Sequence, residues 1–132
     1  MLEVADHPLI ELITYADILE IQGFIGNFQV KIRKNPRWIN EQKCNGCGTC
    51  LDICPIYAPN EFDCGLGYRK AIYRPFDQAV PSIVLIDREK CVKCGLCVKK
   101  CEQKAIEFDQ ASEIRDLTVG TIIVASGFQT FN

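Results

Sequence analysis

Two cysteine-rich stretches of identical spacing place the strongest constraint on how this chain can fold. The first reads Cys44-x2-Cys47-x2-Cys50-x3-Cys54 and is followed by Pro55, and the second reads Cys91-x2-Cys94-x2-Cys97-x3-Cys101. Together they contain eight of the nine cysteines in 132 residues. Because the spacing is repeated, we expect each half of the chain to be built around a group that these thiols hold.

This spacing is typical of thiolates that bind [4Fe-4S] clusters in bacterial-type ferredoxins. Three closely spaced thiolates bind one cluster, and the fourth binds the other cluster. We therefore expect two clusters with crossed ligation: Cys44, Cys47, Cys50 and Cys101 on cluster 1, and Cys91, Cys94, Cys97 and Cys54 on cluster 2. Gly46, Gly48 and Gly95 allow the backbone angles that such tight loops require.

A short helical turn is expected before each fourth cysteine, over residues 49–54 and 96–101. Pro55 should end the first turn, since proline donates no N–H and disfavours helix at the preceding residue. The second motif has Glu102 at the corresponding position. We expect this difference to loosen the second turn without removing a ligand.

Three other readings of the cysteines are weaker. Structural zinc sites usually combine two separated pairs of ligands, which does not explain two runs of four cysteines. A disulfide framework would suit a secreted protein, but residues 1–12 are acidic and do not resemble a secretory signal. A core of buried free cysteines does not explain the regular clustering.

Charge and hydropathy limit the partners. The net charge is −2 and the isoelectric point is about 5.4, so we expect no nucleic-acid partner. No apolar run approaches the roughly 20 residues that cross a bilayer, so we expect a soluble, cytoplasmic protein without a membrane partner. His7, the single histidine, lies in a polar stretch, and we expect it to be solvated.

The remaining sequence favours an α+β fold. Residues 10–15, 17–22 and 27–34 are predicted strands, and the last two should form a hairpin around the turn at residues 23–27. The glycines of that turn do not form a phosphate-binding fingerprint. Strand, cysteine loop, helical turn and strand then occur twice, with predicted strands at residues 37–40, 82–87 and 105–109. Trp38 should cover part of a cluster or of the core.

An insertion at residues 55–81 separates the two halves. It is rich in proline, glycine and tyrosine and too long for a simple connection. A docking loop and a shield that packs aromatic side chains over the first cluster are both consistent with it. Cys64 lies in this insertion and should be a spare thiol. The alternatives are a ligand in trans and a redox-active thiol activated by Arg69 and Lys70.

Residues 117–128 contain an apolar run, 122–125, of the kind found in a parallel strand covered on both faces. Such a strand needs helices that this chain does not supply. We therefore expect either that it pairs with the N-terminal hairpin or that the chain is a piece of a larger protein. The second explanation fits better.

Three stretches carry a family resemblance. PNEFDCGLGYRKAIYRPFDQAVPSIVLID (residues 59–87) resembles the inserted ferredoxin region of the heterodisulfide reductase A subunit, the flavin and iron-sulfur component of the methanogen-type enzyme. HPLIELITYADILEIQGFIGNFQVKIRK (residues 7–34) and GTIIVASGF (residues 120–128) resemble the parts of its flavoprotein domain on either side of the insertion. The family's glycine-rich FAD motif is absent from these 132 residues.

The resemblance implies three regions. Residues 1–36 would be a β-rich flank of the parent flavoprotein domain, residues 37–110 a two-[4Fe-4S] ferredoxin domain with the insertion, and residues 111–132 a return strand. Ser126 and Gly127 would lie near FAD, in the full-length parent only.

The resemblance also implies electron transfer between the parent flavin and partner iron-sulfur or flavin subunits of an oxidoreductase complex. No catalytic acid, base or nucleophile can be nominated, so the segment itself should be a non-catalytic electron-transfer module. A cluster-based redox sensor or docking module and a stand-alone ferredoxin are the alternatives.

Overall fold

The computed structural model describes residues 2–5 and 7–127. In chain order its elements are α1 (Leu2–Ala5), β1 (Ala16–Phe24), β2 (Asn27–Lys34), α2 (Thr49–Ile53), β3 (Tyr57–Pro59), a 3-10 turn (Glu61–Asp63), β4 (Tyr68–Lys70), β5 (Ile72–Tyr73), β6 (Leu85–Ile86), α3 (Leu96–Lys100) and β7 (Glu113–Val119). They belong to two compact units. The cysteine unit contains Met1–Tyr15 and Pro36–Ala111, and the sheet unit contains Ala16–Asn35 and Ser112–Asn132.

The sheet unit is a three-stranded antiparallel sheet in the order β1-β2-β7. The predicted hairpin is confirmed, and its turn joins Phe24 to Asn27. The turn is also fixed by a backbone hydrogen bond of 2.9 Å from Gly26 N to Gly120 O. Alternation along the strands leaves Ile21 opposite Val30, and Val30 opposite Leu117, on one face. Glu20, Lys31 and Asp116 form a charged row on the other face.

The cysteine unit repeats a short plan around a small core. Strands β5 and β6 pair with each other just before the second cysteine motif. An isolated bridge between Ile39 and Ile106 joins the segment before the first motif to the segment after the second. The strands β3 and β4 form a separate antiparallel pair inside the insertion. The buried core residues are Trp38, Ile39, Ile72, Val84, Ile86, Cys97 and Ala105. Five further cysteines pack against this core, so the thiols line the hydrophobic centre of the unit.

Several strand predictions were too long or wrong. Residues 10–15 form no strand. Thr14 and Tyr15 instead hold Arg37, which donates a hydrogen bond of 2.6 Å to Thr14 Oγ1 and lies 5.2 Å from the centroid of the Tyr15 ring. The predicted strand at 82–87 is reduced to Leu85–Ile86. Those at 37–40 and 105–109 are reduced to one β-bridge, between Ile39 and Ile106.

The C-terminal strand lies earlier than predicted. It is Glu113–Val119, which pairs with β2, whereas residues 122–125 have no regular structure. Ile123 is 89% and Val124 79% exposed. The apolar run therefore has no partner strand in the part of the chain described here, and residue 128, the last of the segment 117–128, lies outside the described residues. No described helix is both long and apolar enough to cross a membrane.

Candidate iron-sulfur centres

The first cavity of the cysteine unit has a volume of about 120 Å³ and is lined by four cysteines. They are Cys44, Cys47, Cys50 and Cys101. Three come from the first motif and the fourth from the second, which is the set that the sequence predicts for cluster 1. The loop of residues 44–50 and the end of α3 supply most of the remaining wall.

The second cavity is smaller and more apolar. It has a volume of about 20 Å³ and is lined by the other predicted set: Cys54, Cys91, Cys94 and Cys97. Ile72, Ile86 and Phe108 contribute apolar side chains to its wall. Trp38 does not line it. Its ring packs edge-on against Phe108, with 5.4 Å between ring centroids, so Trp38 supports the wall from the core.

Each cysteine loop is preceded by the same kind of side-chain hydrogen bonding. Asn40 lies four residues before Cys44, and its Oδ1 accepts hydrogen bonds of 3.1 Å from the backbone N–H groups of Gln42 and Lys43. Asp87 lies four residues before Cys91, and its Oδ1 accepts the N–H groups of Glu89 and Lys90 at 3.0 and 3.2 Å. Such Asx turns fix the direction in which the chain enters each loop.

Left-handed backbone conformations shape both loops at matching positions. Gly46 has φ +70° and Lys93, at the same place in the second motif, has φ +51°. Gly48 and Gly95, which precede the two helices, have φ +86° and +76°. A Cβ added to Gly46 would lie 2.1 Å from the carbonyl oxygen of Ser82, so close backbone approach as well as φ requires glycine there.

The helices α2 and α3 each deliver one cysteine to the opposite cavity. Both contain five residues, and Cys54 and Cys101 follow them in extended conformation, with φ/ψ of −68°/122° and −76°/102°. The expectation that Glu102 loosens the second turn is wrong. The hydrogen bond from Cys101 N to Cys97 O, 2.9 Å long, closes α3 without help from a proline.

Hydrogen bonds to sulfur are already present around the thiols. The N–H groups of Lys93 and Ala105 donate to the sulfurs of Cys91 and Cys101, in each case over 3.4 Å. The hydroxyl of Thr49 lies 3.5 Å from Cys47 Sγ. Hydrogen bonds to cluster sulfurs are one of the means by which a protein sets a reduction potential.

The thiols differ in acidity. Burial, with the neighbouring Cys44 adding to it, raises the pKa of Cys50 to about 12. Burial also raises the pKa of Cys97, whereas the hydrogen bond with Thr49 lowers the pKa of Cys47. The buried thiols are therefore protonated at neutral pH unless a metal group takes the place of the protons. Cluster assembly must release these protons.

The donor sets fit clusters better than single ions. A tetrahedral zinc site with Zn–S bonds of about 2.3 Å brings its four sulfurs to within roughly 3.8 Å of one another. No group of three or more His, Cys, Asp or Glu side chains among the described residues is arranged to hold a single metal ion. Each set of four cysteines lines its own cavity.

The insertion contributes cations that the sequence did not indicate as site residues. Lys70 Nζ donates a hydrogen bond of 2.8 Å to the carbonyl oxygen of Cys54. Arg69 Nη2 donates a hydrogen bond of 2.9 Å to Asp87 Oδ2, and Arg74 Nη2 donates to the carbonyl oxygen of Gly46. No local pattern marks these contacts, which link residues 16 to 28 positions apart.

The other residues singled out from the sequence lie away from both cavities. Cys64 is exposed, at the end of the 3-10 turn, with φ +58°. Arg69 and Lys70, considered as its activators, are engaged elsewhere: they lie over the rings of Tyr73 and Tyr57, each 3.8 Å from the centroid. His7 is exposed, and its Nδ1 accepts the Leu9 N–H. Ser126 and Gly127 are exposed in the sheet unit.

Comparison with known proteins agrees with this geometry. The family model described as the 4Fe-4S binding domain matches twice, at residues 37–60 and 84–107. The iron-sulfur A subunit of the CoB–CoM heterodisulfide reductase of Methanocaldococcus jannaschii is 55% identical over 132 residues, which are 100% of this chain and 20% of the relative. Over its whole length this chain is similar to one segment of the heterodisulfide reductase A subunits.

Further relatives of this type match over the same extent. The A subunit of the H2:CoB–CoM heterodisulfide,ferredoxin reductase of Methanothermobacter marburgensis is 51% identical, over 100% of this chain and 20% of the relative. The A subunit of the ferredoxin/F420H2-dependent CoB–CoM heterodisulfide reductase of Methanosarcina acetivorans is 41% identical, over 100% and 17%. The chain spans about a fifth of the length of these curated relatives. It is a small mixed helix and strand domain that carries two [4Fe-4S] clusters for electron transfer.

Proposed function

We propose that this segment carries electrons through two clusters with crossed ligation. Cys44, Cys47, Cys50 and Cys101 hold cluster 1, and Cys91, Cys94, Cys97 and Cys54 hold cluster 2. The observation that carries the proposal is that each cavity is lined by three cysteines of one motif and the last cysteine of the other. Each cluster accepts one electron at a time, and the protein residues supply thiolates, hydrogen bonds and burial.

Metal analysis and paired cysteine variants test this assignment. The anaerobically purified, cluster-loaded chain should contain about eight irons and eight acid-labile sulfides. If ligation is crossed, the double variant Cys47→Ser/Cys101→Ser damages one cluster only and keeps about four irons. The matched double variant Cys94→Ser/Cys101→Ser damages both clusters. Equal iron content in the two variants, or zinc in the parent chain, would contradict the proposal.

The two flanking regions belong, in this proposal, to the flavoprotein domain of a larger subunit. The hairpin of residues 16–35 leads into the ferredoxin domain, and residues 112–132 return from it. Residues 1–15, which the sequence assigned to the same flank, belong to the cysteine unit instead. One face of the sheet unit supports this arrangement, because Ile18 and Ile21 remain 63% and 47% exposed there. Packing against the remaining four-fifths of a protein of the relatives' length would cover that face. Ser126 and Gly127 would then lie near FAD.

The names of the relatives support a role for the clusters inside a larger reductase complex. We infer that the clusters connect the flavin of the larger subunit with partner iron-sulfur or flavin subunits, in a cytoplasmic complex that reduces the disulfide between CoB and CoM. The segment itself performs no bond chemistry. In the full-length protein, the double cysteine variant that damages both clusters should therefore abolish electron delivery to the disulfide while FAD content stays at the parent level. Loss of FAD together with the clusters would contradict this division of roles.

A further inference from the structure

Two cations from one short stretch of the insertion contact the backbone of the first cysteine motif at two points, one beside each cavity. Lys70 is the last residue of β4, and its ammonium group donates to the carbonyl oxygen of Cys54. Arg74 follows β5 directly, and its guanidinium group donates to the carbonyl oxygen of Gly46. Cys54 lines the second cavity and Gly46 the first. The insertion therefore places one positive charge beside each cavity.

Lys70 is held firmly beside the second cavity. Its side chain is half-buried, and its Nζ lies 3.8 Å from the centroid of the Tyr57 ring as well as 2.8 Å from Cys54 O. The next residue, Ala71, lines the cavity and donates its N–H to Ile56 O at 3.0 Å. A cation that is partly removed from water acts on neighbouring charges with less screening than an exposed one.

Arg74 is held in a comparable way beside the first cavity. Its Nε is buried without a hydrogen-bond partner, and its Nη2 lies 3.5 Å from the point that a Cβ on Gly46 would occupy. A buried guanidinium nitrogen without a partner costs free energy. The cost is offset only if the charge interacts favourably with something nearby, and an anionic cluster in the adjacent cavity would provide that interaction.

The repeated part of the fold does not supply these charges. In the second half, the carbonyl oxygen of Cys101, which corresponds to that of Cys54, accepts the neutral backbone N–H of Lys104 at 3.1 Å. The side chains of Lys100 and Glu102 also line the first cavity, but their charges are opposite. Lys70 and Arg74 are thus fixed cations that come from the insertion and not from the duplicated motif.

We propose that Lys70 raises the reduction potential of the cluster that Cys54 binds, and that Arg74 raises the potential of the cluster held by the loop of residues 44–50. This rests on the ligand assignment given above. Reduction adds one electron, and therefore one negative charge, to a cluster with four thiolate ligands. A fixed cation stabilises the reduced form more than the oxidised form. Neither residue lines either cysteine cavity, and each acts on the cluster beside it by its charge.

Variants that remove the positive charge test the two residues separately, with each cluster serving as the control for the other. In Lys70→Met the midpoint potential of cluster 2 should fall while that of cluster 1 stays at the parent value. In Arg74→Met the potential of cluster 1 should fall and that of cluster 2 stay unchanged. The charge-retaining variants Lys70→Arg and Arg74→Lys should restore both potentials to near the parent values. Lys31→Met, which removes an exposed lysine paired with Glu20 in the sheet unit, should change neither.

The measurement is an anaerobic redox titration of the cluster-loaded chain followed by EPR. The single variants Cys47→Ser and Cys94→Ser each alter the spectrum of one cluster, which assigns the two midpoint potentials. Parent-like potentials in both Met variants, at about eight irons per chain, would overturn the inference and leave the proposed function intact. A shift of both clusters in either variant would also overturn it.

A Met variant that fails to keep its clusters does not leave the proposal untested. If a Met variant loses iron, Lys70→Gln is compared with Lys70→Arg, and Arg74→Gln with Arg74→Lys. Equal potentials within each pair would contradict a role for the charge. An iron content far below eight in the parent chain itself would instead contradict the proposed function.

Discussion

Replacing Gly46 by alanine tests how the first cysteine loop is held. A residue with a Cβ in left-handed conformation costs about 1–2 kcal/mol. The loop can accept this cost, since Lys93 has φ +51° at the corresponding position of the second motif. The added Cβ of Gly46→Ala would also lie 2.1 Å from Ser82 O, a backbone atom that a side-chain rotation cannot move. Such overpacking costs a further ~1–3 kcal/mol.

Gly95→Ala is the matched control. Gly95 has φ +76°, but nothing lies within 4 Å of the Cβ that would be added, so only the conformational cost applies. If the additional strain is released when the loop opens, Gly46→Ala should speed the loss of its cluster, relative to the same cluster in the parent chain, about 5- to 150-fold more than Gly95→Ala does, from the extra 1–3 kcal/mol. The rate is measured from the decay of visible absorbance under anaerobic conditions with an iron chelator. Equal accelerations in the two variants would refute the argument that Ser82 forces glycine at position 46.

Three further outcomes follow from other contacts. Asn40→Ala removes the acceptor for two loop N–H groups, so it should cost about 1 kcal/mol in denaturant unfolding. Asn40→Asp keeps that acceptor but replaces the amide that donates to Glu107 at 3.0 Å by a like charge, so it should restore only part of the loss. Burial alone would raise the pKa of Asp87, but hydrogen bonds from Arg69 and from the N–H groups of Lys90 and Glu89 outweigh it, and the pKa lies below the usual value. The contribution of Asp87 to stability should therefore be fully present above its unfolded pKa of about 3.9, and be lost as pH falls through its lower folded pKa. The difference in unfolding free energy between the parent and Asp87→Asn should shrink over that acidic range. A constant difference would contradict this prediction. Cys64 should be alkylated in the folded chain, since it is exposed, and Cys64→Ser should keep about eight irons; loss of iron would show that it is a ligand.

The cysteine motifs could be interpreted from the sequence because their geometry is local. Ligands two or three residues apart, followed by one turn of helix, fix the position of each thiol within a short stretch of chain. Both cavities contain the sets of cysteines predicted from spacing, including the exchange of Cys54 and Cys101. Asn40 and Asp87 carried a usable signal that was missed, since each lies four residues before the first cysteine of its motif.

The strands were predicted less well because a strand depends on its partner. Residues 122–125 are strongly apolar but have no neighbouring strand, and they are not part of a sheet here. The stretch Glu113–Val119 contains Glu113, Arg115 and Asp116 and looks less like a strand, yet it pairs with β2 over seven residue pairs. Hydrogen bonding to a strand some 85 residues away decided the outcome. The hydrophobic pattern of one segment does not say which distant strand will pair with it.

The insertion gives the two cysteine motifs, which have the same spacing, different surroundings. The motif alone would give two similar clusters, and electrons would have little preference for either. The second cavity is walled by Ile72, Ile86 and Phe108, and an apolar surrounding disfavours the extra negative charge of the reduced cluster. Lys70 acts in the opposite direction at the same cavity. Arg74 raises the potential of the other cluster, so the order of the two potentials depends on both cations. Lys70→Met lowers the potential of cluster 2 alone, and should therefore widen the gap if cluster 2 has the lower potential and narrow or invert it if cluster 2 has the higher.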